Sequence, residues 1–317
     1  MHMADALISP AVGATMWAVS AGMIVYAARK VKTELDESRV PLMAVMAAFV
    51  FAAQMINFTI PATGSSGHLG GALLLAILLG PNAGFLALAS VLTVQALFFA
   101  DGGLLALGCN IFNMGFWGCY VAYPLIYRLG PFSVVLQTLA SGITELPFGT
   151  FVALMQPIHL AIGLVEGLVT AAVVIFVWQA RPELFTAEAK AADVSVKPLV
   201  IGLAVAAALT AGVFSWFASA NPDGLEWSMF KTSGSEELAG PADGAHAKLA
   251  AVQEKSAFMP DYGFRQSESA PAEEESAAWP SVDAGTSVAG LVGGAIVLLL
   301  AGLIGFGLKR FNRGKPA

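Results

Sequence analysis

Nine stretches of this sequence are long and apolar, and together they contain only two charged side chains, Glu145 and Glu166. They run over Ala11–Ala28, Pro41–Ile60, Leu69–Leu79, Ala83–Phe99, Leu104–Tyr127, Phe132–Met155, Ile158–Trp178, Leu199–Ala220 and Val288–Leu308. A helix needs roughly 20 apolar residues to cross the hydrocarbon of a bilayer. A backbone in that medium must satisfy its own hydrogen bonds. The chain is therefore expected to be an all-α polytopic membrane protein with about nine transmembrane helices. A soluble globule is excluded, because only 12% of the 317 residues are charged against about a quarter in soluble domains. The third and fourth stretches are short and joined by Gly80-Pro81-Asn82-Ala83-Gly84, so they read either as two crossings or as one broken segment.

Cytoplasmic loops concentrate Lys and Arg, and this gives the orientation. With the amino terminus outside, the inner connections ARKVKTELDESR, GPNAG, YRLGP, ARPELFTAEAKAADVSVK and KRFNRGKP hold 12 of the 16 basic residues. The outer connections PATGSSGH, ADGG and QP hold none. The amino terminus is expected outside and the carboxyl terminus in the cytoplasm. Between Asn221 and Asp283 the sequence has 12 acidic and 4 basic residues and no long apolar run. This reads as an acidic external loop, partly disordered by composition.

The chemistry begins at MHMADALISP. It lacks the positive charge ahead of an apolar run that marks a secretory signal, since the first basic residue is Arg29. The α-amine of Met1 and the amide nitrogen of His2 close a five-membered chelate ring. That amide nitrogen and the His2 imidazole Nδ1 close a six-membered one. Three nitrogens then lie near one plane, and the fourth place suits a second imidazole. Planar nitrogen sets belong to Ni(II) or Cu(II) rather than zinc. His68 falls on the same outer face, flanked by Gly64, Ser65, Ser66 and Gly67. Met1, His2 and His68 are thus candidate metal ligands, with His68 as a surface or capping residue of its loop still open. Because every nitrogen ligand competes with H⁺, affinity is expected to fall below about pH 6.5, the unperturbed histidine pKa.

These residues sit in longer motifs: TGSSGHLGGALLLAILLGP from Thr63, QALFFADGGLLALGCNIFNMG from Gln95, TELPF from Thr144 and HLAIGLVEGLVTA from His159. With the Met-His start, they resemble the substrate-binding membrane component of the cobalt/nickel energy-coupling-factor transporters, over about Met1 to Ala180. Met3 stands where that family more usually has Ile, and it reads as a packing residue. NPDGLEWS, from Asn221, resembles the motif of the small accessory component of those systems, here fused to the same chain. The resemblance implies residues 1–180 as the metal-binding membrane domain, 181–198 as a cytoplasmic linker and 199–317 as an accessory domain. The two spans of that last domain would flank the external loop 221–283. It implies Ni(II) or Co(II) as transported substrate, no resident cofactor and the cytoplasmic (inner) membrane as location. Its partners would be a transmembrane coupling subunit and cytoplasmic ATPases. Nickel against cobalt stays open.

Polar groups inside a bilayer tend to face protein or a cavity. Asn57 and Gln95 are expected behind the imidazoles, as metal-bound histidines need such partners, with Asp101, Asn110 and Asn113 as weaker candidates. His159 and Glu166 lie seven apart on one helical face. They read as an ion route, as a partner contact, or as packing groups paired with neighbours such as Glu145. His246 reads as solvated, and Cys109 and Cys119 as small apolar packing residues. Ala14, Ala18 and Gly22 make a small-residue stripe suited to close helix approach, toward a coupling partner or within the chain.

The sequence contains no Gly-x-x-x-x-Gly-Lys-Ser/Thr phosphate loop, so ATP use in that manner falls to other chains. A membrane metalloprotease would need a His-Glu-x-x-His motif, which does not occur. The chain is expected not to be an enzyme. The alternative is an autonomous ion-coupled divalent metal carrier, for which Glu145 and Glu166 are the only acidic candidates within the spans.

Overall fold

The computed structural model describes residues 2–121, 126–185, 195–265 and 279–310. Met1, part of the 181–198 linker and part of the 221–283 loop lie outside the described residues. Helix dominates. Helix α1 (Pro10–Glu34) starts at Ser9, whose side chain accepts the Val12 N–H, with Pro10 in the first turn. There a missing N–H costs nothing, because that donor has no helical partner. Its buried face is Gly13, Ser20 and Ala27, a seven-residue repeat of small residues. Ala14, Ala18 and Gly22 lie on the opposite, exposed side, and nothing stands within 4 Å of where a Gly22 side chain would be. Among the described residues nothing packs on the stripe at Gly22.

Helix α2 (Val40–Gln54) is buried on nearly all sides, as a helix apolar all round must be. It leads into a short antiparallel hairpin, β1 (Phe58–Ile60) with β2 (Ser65–Gly67), in which Phe58 pairs with Gly67 and Ile60 with Ser65. Helices α3 (Ala72–Leu79) and α4 (Pro81–Phe98) follow as separate helices, broken at Gly80 with φ of 84°. Helix α5 (Leu107–Asn110) continues through a π-helical stretch, Ile111–Phe116, into α6 (Trp117–Tyr120). Then come α7 (Ile126–Ser141) and α8 (Phe148–Ala180).

The break between the sixth and seventh apolar stretches is not at Gln156-Pro157, where the sequence reading put it. Helix α8 runs through Pro157, and the chain turns instead over residues 142–147. Gly142, at φ of 63°, takes the left-handed conformation that ends helices, and Pro147 sits at the start of α8. An internal proline is tolerated in an apolar helix because neighbouring groups satisfy the freed carbonyl.

The remaining elements are α9 (Lys197–Gly212), α10 (Gly224–Ser233), α11 (Gly244–Ser256) and α12 (Ala284–Arg310). Among the described residues four helices, α1, α4, α8 and α12, are long and apolar enough to cross a membrane. Large apolar side chains such as Leu164, Leu168, Phe176, Leu299 and Leu303 stand exposed on α8 and α12, a surface that suits lipid rather than water. The segment from residue 195 onward joins the same apolar core as the first half, with Leu199, Leu203, Met259, Val297 and Ala301 beside Val50, Phe51 and Phe85.

Small residues make that union. A side chain at Gly290 would reach Ala211 Cβ at 2.8 Å, and one at Gly293 would reach Phe51 Cζ at 2.2 Å. Helix α12 therefore lies directly on α2 and α9. Overpacking at such a point costs about 1–3 kcal/mol. Gly293→Leu is expected to lower the denaturation midpoint of the detergent-solubilised chain, while Gly294→Leu, with open space around it, leaves it unchanged.

Candidate metal centre

The hairpin presents His68 at the end of β2, and three elements hold the turn that follows it. The Glu166 carboxylate of α8 accepts the N–H groups of Gly70 and Gly71, each at 2.8 Å. Gln54, at the end of α2, donates to the Gly70 carbonyl at 2.9 Å, and Gln95 of α4 donates to Gln54 at 2.9 Å. Gly71 has φ of 75°, and a Cβ there would strike Val50 at 2.4 Å, so only glycine fits. Gly67 similarly meets Ile162 of α8, at 2.5 Å. The His68 ring places Nδ1 3.1 Å from the Leu69 carbonyl. Burial pushes its pKa down to about 3, so the imidazole is neutral at any physiological pH.

The amino-terminal segment reaches the same place. The Met3 N–H donates to Asn110 Oδ1 at 2.8 Å, and the Met3 carbonyl accepts from Asn110 Nδ2 and from the Gly103 N–H, at 3.2 and 3.0 Å. Asp5 accepts the Ala106 N–H at 2.9 Å. The Met3 side chain is fully buried, with its sulfur 3.4 Å from Asn113 Nδ2, which is the packing role its position suggested. Fixed in this way, His2 stacks on His68, with ring centroids 5.3 Å apart and planes inclined by 14°. His2 Nδ1 lies 3.0 Å from Asp101 Oδ1, and Nε2 is buried without a hydrogen-bond partner among the described residues. Burial alone would raise the Asp101 carboxyl. The His2 charge and hydrogen bond, with the Tyr262 hydroxyl donating at 2.5 Å, outweigh it and hold Asp101 well below the usual carboxylate range.

Tyr262 belongs to the acidic segment, and that segment covers the centre rather than standing off in solvent. Asp223 and Glu226 form a reciprocal capping box at the start of α10, the pattern DGLE encodes. The preceding residues bind the hairpin. The Ser66 N–H donates to the Pro222 carbonyl and Ser66 Oγ to the Asn221 carbonyl, both at 2.7 Å. Trp227 Nε1 donates to the Thr63 carbonyl at 3.0 Å. Gln253 of α11 donates to the Gly102 carbonyl at 2.7 Å, and the Tyr262 ring stacks on Phe99 at 5.0 Å. His246, expected in solvent, is instead buried with Nε2 2.8 Å from the Ile8 carbonyl. A helix packed on the amino-terminal segment explains the difference.

Between these layers lies a vestibule of about 680 Å³ containing His2 and His68, with seven Asp or Glu and no Lys or Arg among the described residues lining it. Such a lining attracts cations and repels anions. Asn57 and Gln95, expected behind the imidazoles, are hydrogen-bonded to Ser219 and Gln54 respectively among the described residues. Asn57 lines the vestibule and its carbonyl accepts the Ser219 N–H at 2.7 Å. Gln95 acts on the His68 turn through Gln54. Glu145 is exposed and pairs with neither His159 nor Glu166 among the described contacts. Cys109 and Cys119 are buried thiols. Among the described residues no three His, Cys, Asp or Glu side chains form a metal cage. Tyr262 and Gln54 escaped the sequence reading. Gln54 carried a usable signal, a lone amide ending an apolar run, whereas Tyr262 carried none.

The family model described as the cobalt uptake substrate-specific transmembrane region (CbiM) matches residues 2–133 and 129–184, and the PDGLE domain matches residues 197–310. A putative fused nickel transport protein of Archaeoglobus fulgidus is 34% identical, over 99% of both chains. A putative metal transport protein of Haloquadratum walsbyi is 37% identical over 58% of this chain and 93% of its own. The crystal structure of a truncated transition metal transporter aligns with a TM-score of 0.42 and 31% identity, over 57% of this chain and 99% of its own. The chain thus belongs to the CbiM family of multi-pass membrane proteins for metal uptake, with a PDGLE domain fused behind the CbiM region.

Proposed function

We propose that this chain is the capture subunit of an energy-coupling-factor transporter that takes up Ni(II) or Co(II). The ion would be held by the Met1 amine, the His2 amide and imidazole, and His68. The observation that carries the reading is the stacking of His2 on His68 at 5.3 Å inside a carboxylate-lined, cation-attracting vestibule. The six-membered chelate ring requires His2 Nδ1, which lies 3.0 Å from Asp101 Oδ1, so Asp101 and the ion would compete for that nitrogen. The amino terminus and vestibule face the outside and the carboxyl terminus the cytoplasm, as the Lys and Arg distribution indicates. Residues 1–180 form the capture domain and 199–317 the accessory domain, joined by the 181–198 linker. A coupling subunit docks on the exposed stripe Ala14, Ala18 and Gly22 of α1, and partner ATPases supply the energy. An autonomous ion-coupled carrier is less well supported, because Glu166 is engaged with Gly70 and Gly71 and Glu145 lies at an exposed turn.

Titration of the purified chain with Ni(II) tests the ligand set. One residue added before Met1 should abolish the chelate with every side chain still present. His68→Ala should weaken binding at least about 100-fold, and Glu166→Gln about tenfold, within the 10–100-fold typical of groups that orient a ligand. Unchanged affinity of the extended form sinks the terminal-amine reading.

The proton dependence differs from the simple histidine expectation. The His68 pKa, pushed down to about 3, lies below its unfolded value near 6.5. Folding therefore favours the neutral ring, and the stability it contributes is present above pH 6.5 and lost as pH falls from there toward 3. Over that window acid reaches the site through the other nitrogen ligands rather than through His68. An amine ligand loses its competing proton near pH 7.7–8.0, but a ligating amide must release its own at any pH. Calorimetry in buffers of different ionisation enthalpy should therefore find about one proton released per Ni(II) even above pH 8.5. Release near zero there would leave imidazoles and amine alone as ligands.

A further inference from the structure

Beside the His68 turn lies a second cavity, of about 60 Å³, between α3, α8 and the start of α10. His68 and Asp223 line both spaces, so the turn is the wall between them. The polar part of the second cavity also includes His159, Glu166 and Asn113, and Ala72, Met114 and Ile162 supply apolar wall. His159 is only 3% exposed. Its Nδ1 lies 2.8 Å from the Met155 carbonyl one turn earlier in α8. A carbonyl only accepts, so Nδ1 carries the hydrogen and Nε2 is left with its lone pair. That nitrogen is buried and has no hydrogen-bond partner among the described residues, a rare state for a buried polar atom. Gly224 backs the ring: a Cβ there would stand 2.9 Å from His159 Cε1 and 3.1 Å from Nε2. The accessory helix thus closes the cavity and cannot carry a larger residue at this point.

A neutral imidazole nitrogen with an open lone pair is the commonest metal ligand in proteins. The space exceeds the roughly 10–15 Å³ that one water needs, so it admits a bare divalent ion with a few waters. His68 faces it from one side and His159 from another. We infer that this chamber is the way out for the ion, and that His159 Nε2 is the first ligand to take it when it leaves His68. The ion enters through the carboxylate-lined vestibule and departs through a chamber whose walls are mainly apolar. The inference rests on the reading of His68 as a ligand.

The test separates holding from passage. Ni(II) affinity is measured on the purified full chain, and radiolabelled Ni(II) uptake on cells carrying the chain with its transporter partners. His159→Phe, which fills the ring's space without a ligand, should bind Ni(II) within about threefold of the wild type while uptake falls at least tenfold. His159→Gln, which retains a neutral acceptor, should recover part of the uptake. Where His159→Phe does not accumulate, His159→Leu gives the same comparison without filling the chamber. Uptake within twofold of wild type in the ligand-free variant overturns the inference. So does a loss of affinity that matches the loss of uptake, since His159 would then only support the His68 turn. Normal Ni(II) binding by His68→Ala would instead defeat the preceding reading.

Discussion

The pair of hydrogen bonds from Gly70 and Gly71 to Glu166 is the constraint on which the rest of the centre depends. A loop of glycines has little to hold it in place, and without an anchor it would sample many conformations at high entropic cost to any ligand geometry. A carboxylate taking two backbone donors is a strong, directional anchor, and it comes from the middle of the longest helix in the protein. Gln54 takes the opposite edge of the same peptide, at the Gly70 carbonyl. Held between α2 and α8, the turn presents His68 at one height. The amino-terminal segment is set against it by Asn110, which grips both the N–H and the C=O of Met3.

The fused accessory segment continues that logic. Each residue of PDGLEW has a physical task at the hairpin: a carbonyl for Ser66, a cap, a gap beside His159, a buried leucine, the cap's reciprocal carboxylate, and an indole N–H for Thr63. Further along, Tyr262 reaches Asp101 and through it His2. The accessory domain is therefore mechanically joined to both imidazoles, to His68 through the hairpin and to His2 through Asp101. Its removal would alter the centre itself and not only the surface.

Much of this was legible in the residues, and the failures have particular causes. Apolar runs, the Met-His start, the SGH turn and the accessory motif all carry local signals, so the helices and the meeting of His2 with His68 could be anticipated. Pro157 misled because proline is read as a breaker, while in a helix packed among others its missing donor is easily absorbed. Glu166 was visible as an isolated carboxylate, but its partners are backbone groups 95 and 96 residues away, which no local pattern specifies. His246 and Tyr262 looked like loop residues because the segment is acidic and polar. Their burial arises only once that segment folds against the amino terminus.

The chemistry of the donors explains why the carboxylates stay in the vestibule and out of the proposed ligand set. Several ionised carboxylates directly on a divalent ion would hold it electrostatically and resist its departure, and burying them unpaired costs far more than burying neutral imidazoles. Neutral nitrogens with one deprotonated amide leave the bound ion a net positive charge. Selection then comes from planar geometry and from the ability to acidify an amide, and attraction from outlying negative charge that need not be shed at release. Proton competition would fall on the nitrogens other than His68, whose ring burial already keeps neutral. An ion held by such a set is retained by geometry. Displacing the His68 turn by a small amount would remove the proposed fourth ligand and leave the ion beside His159.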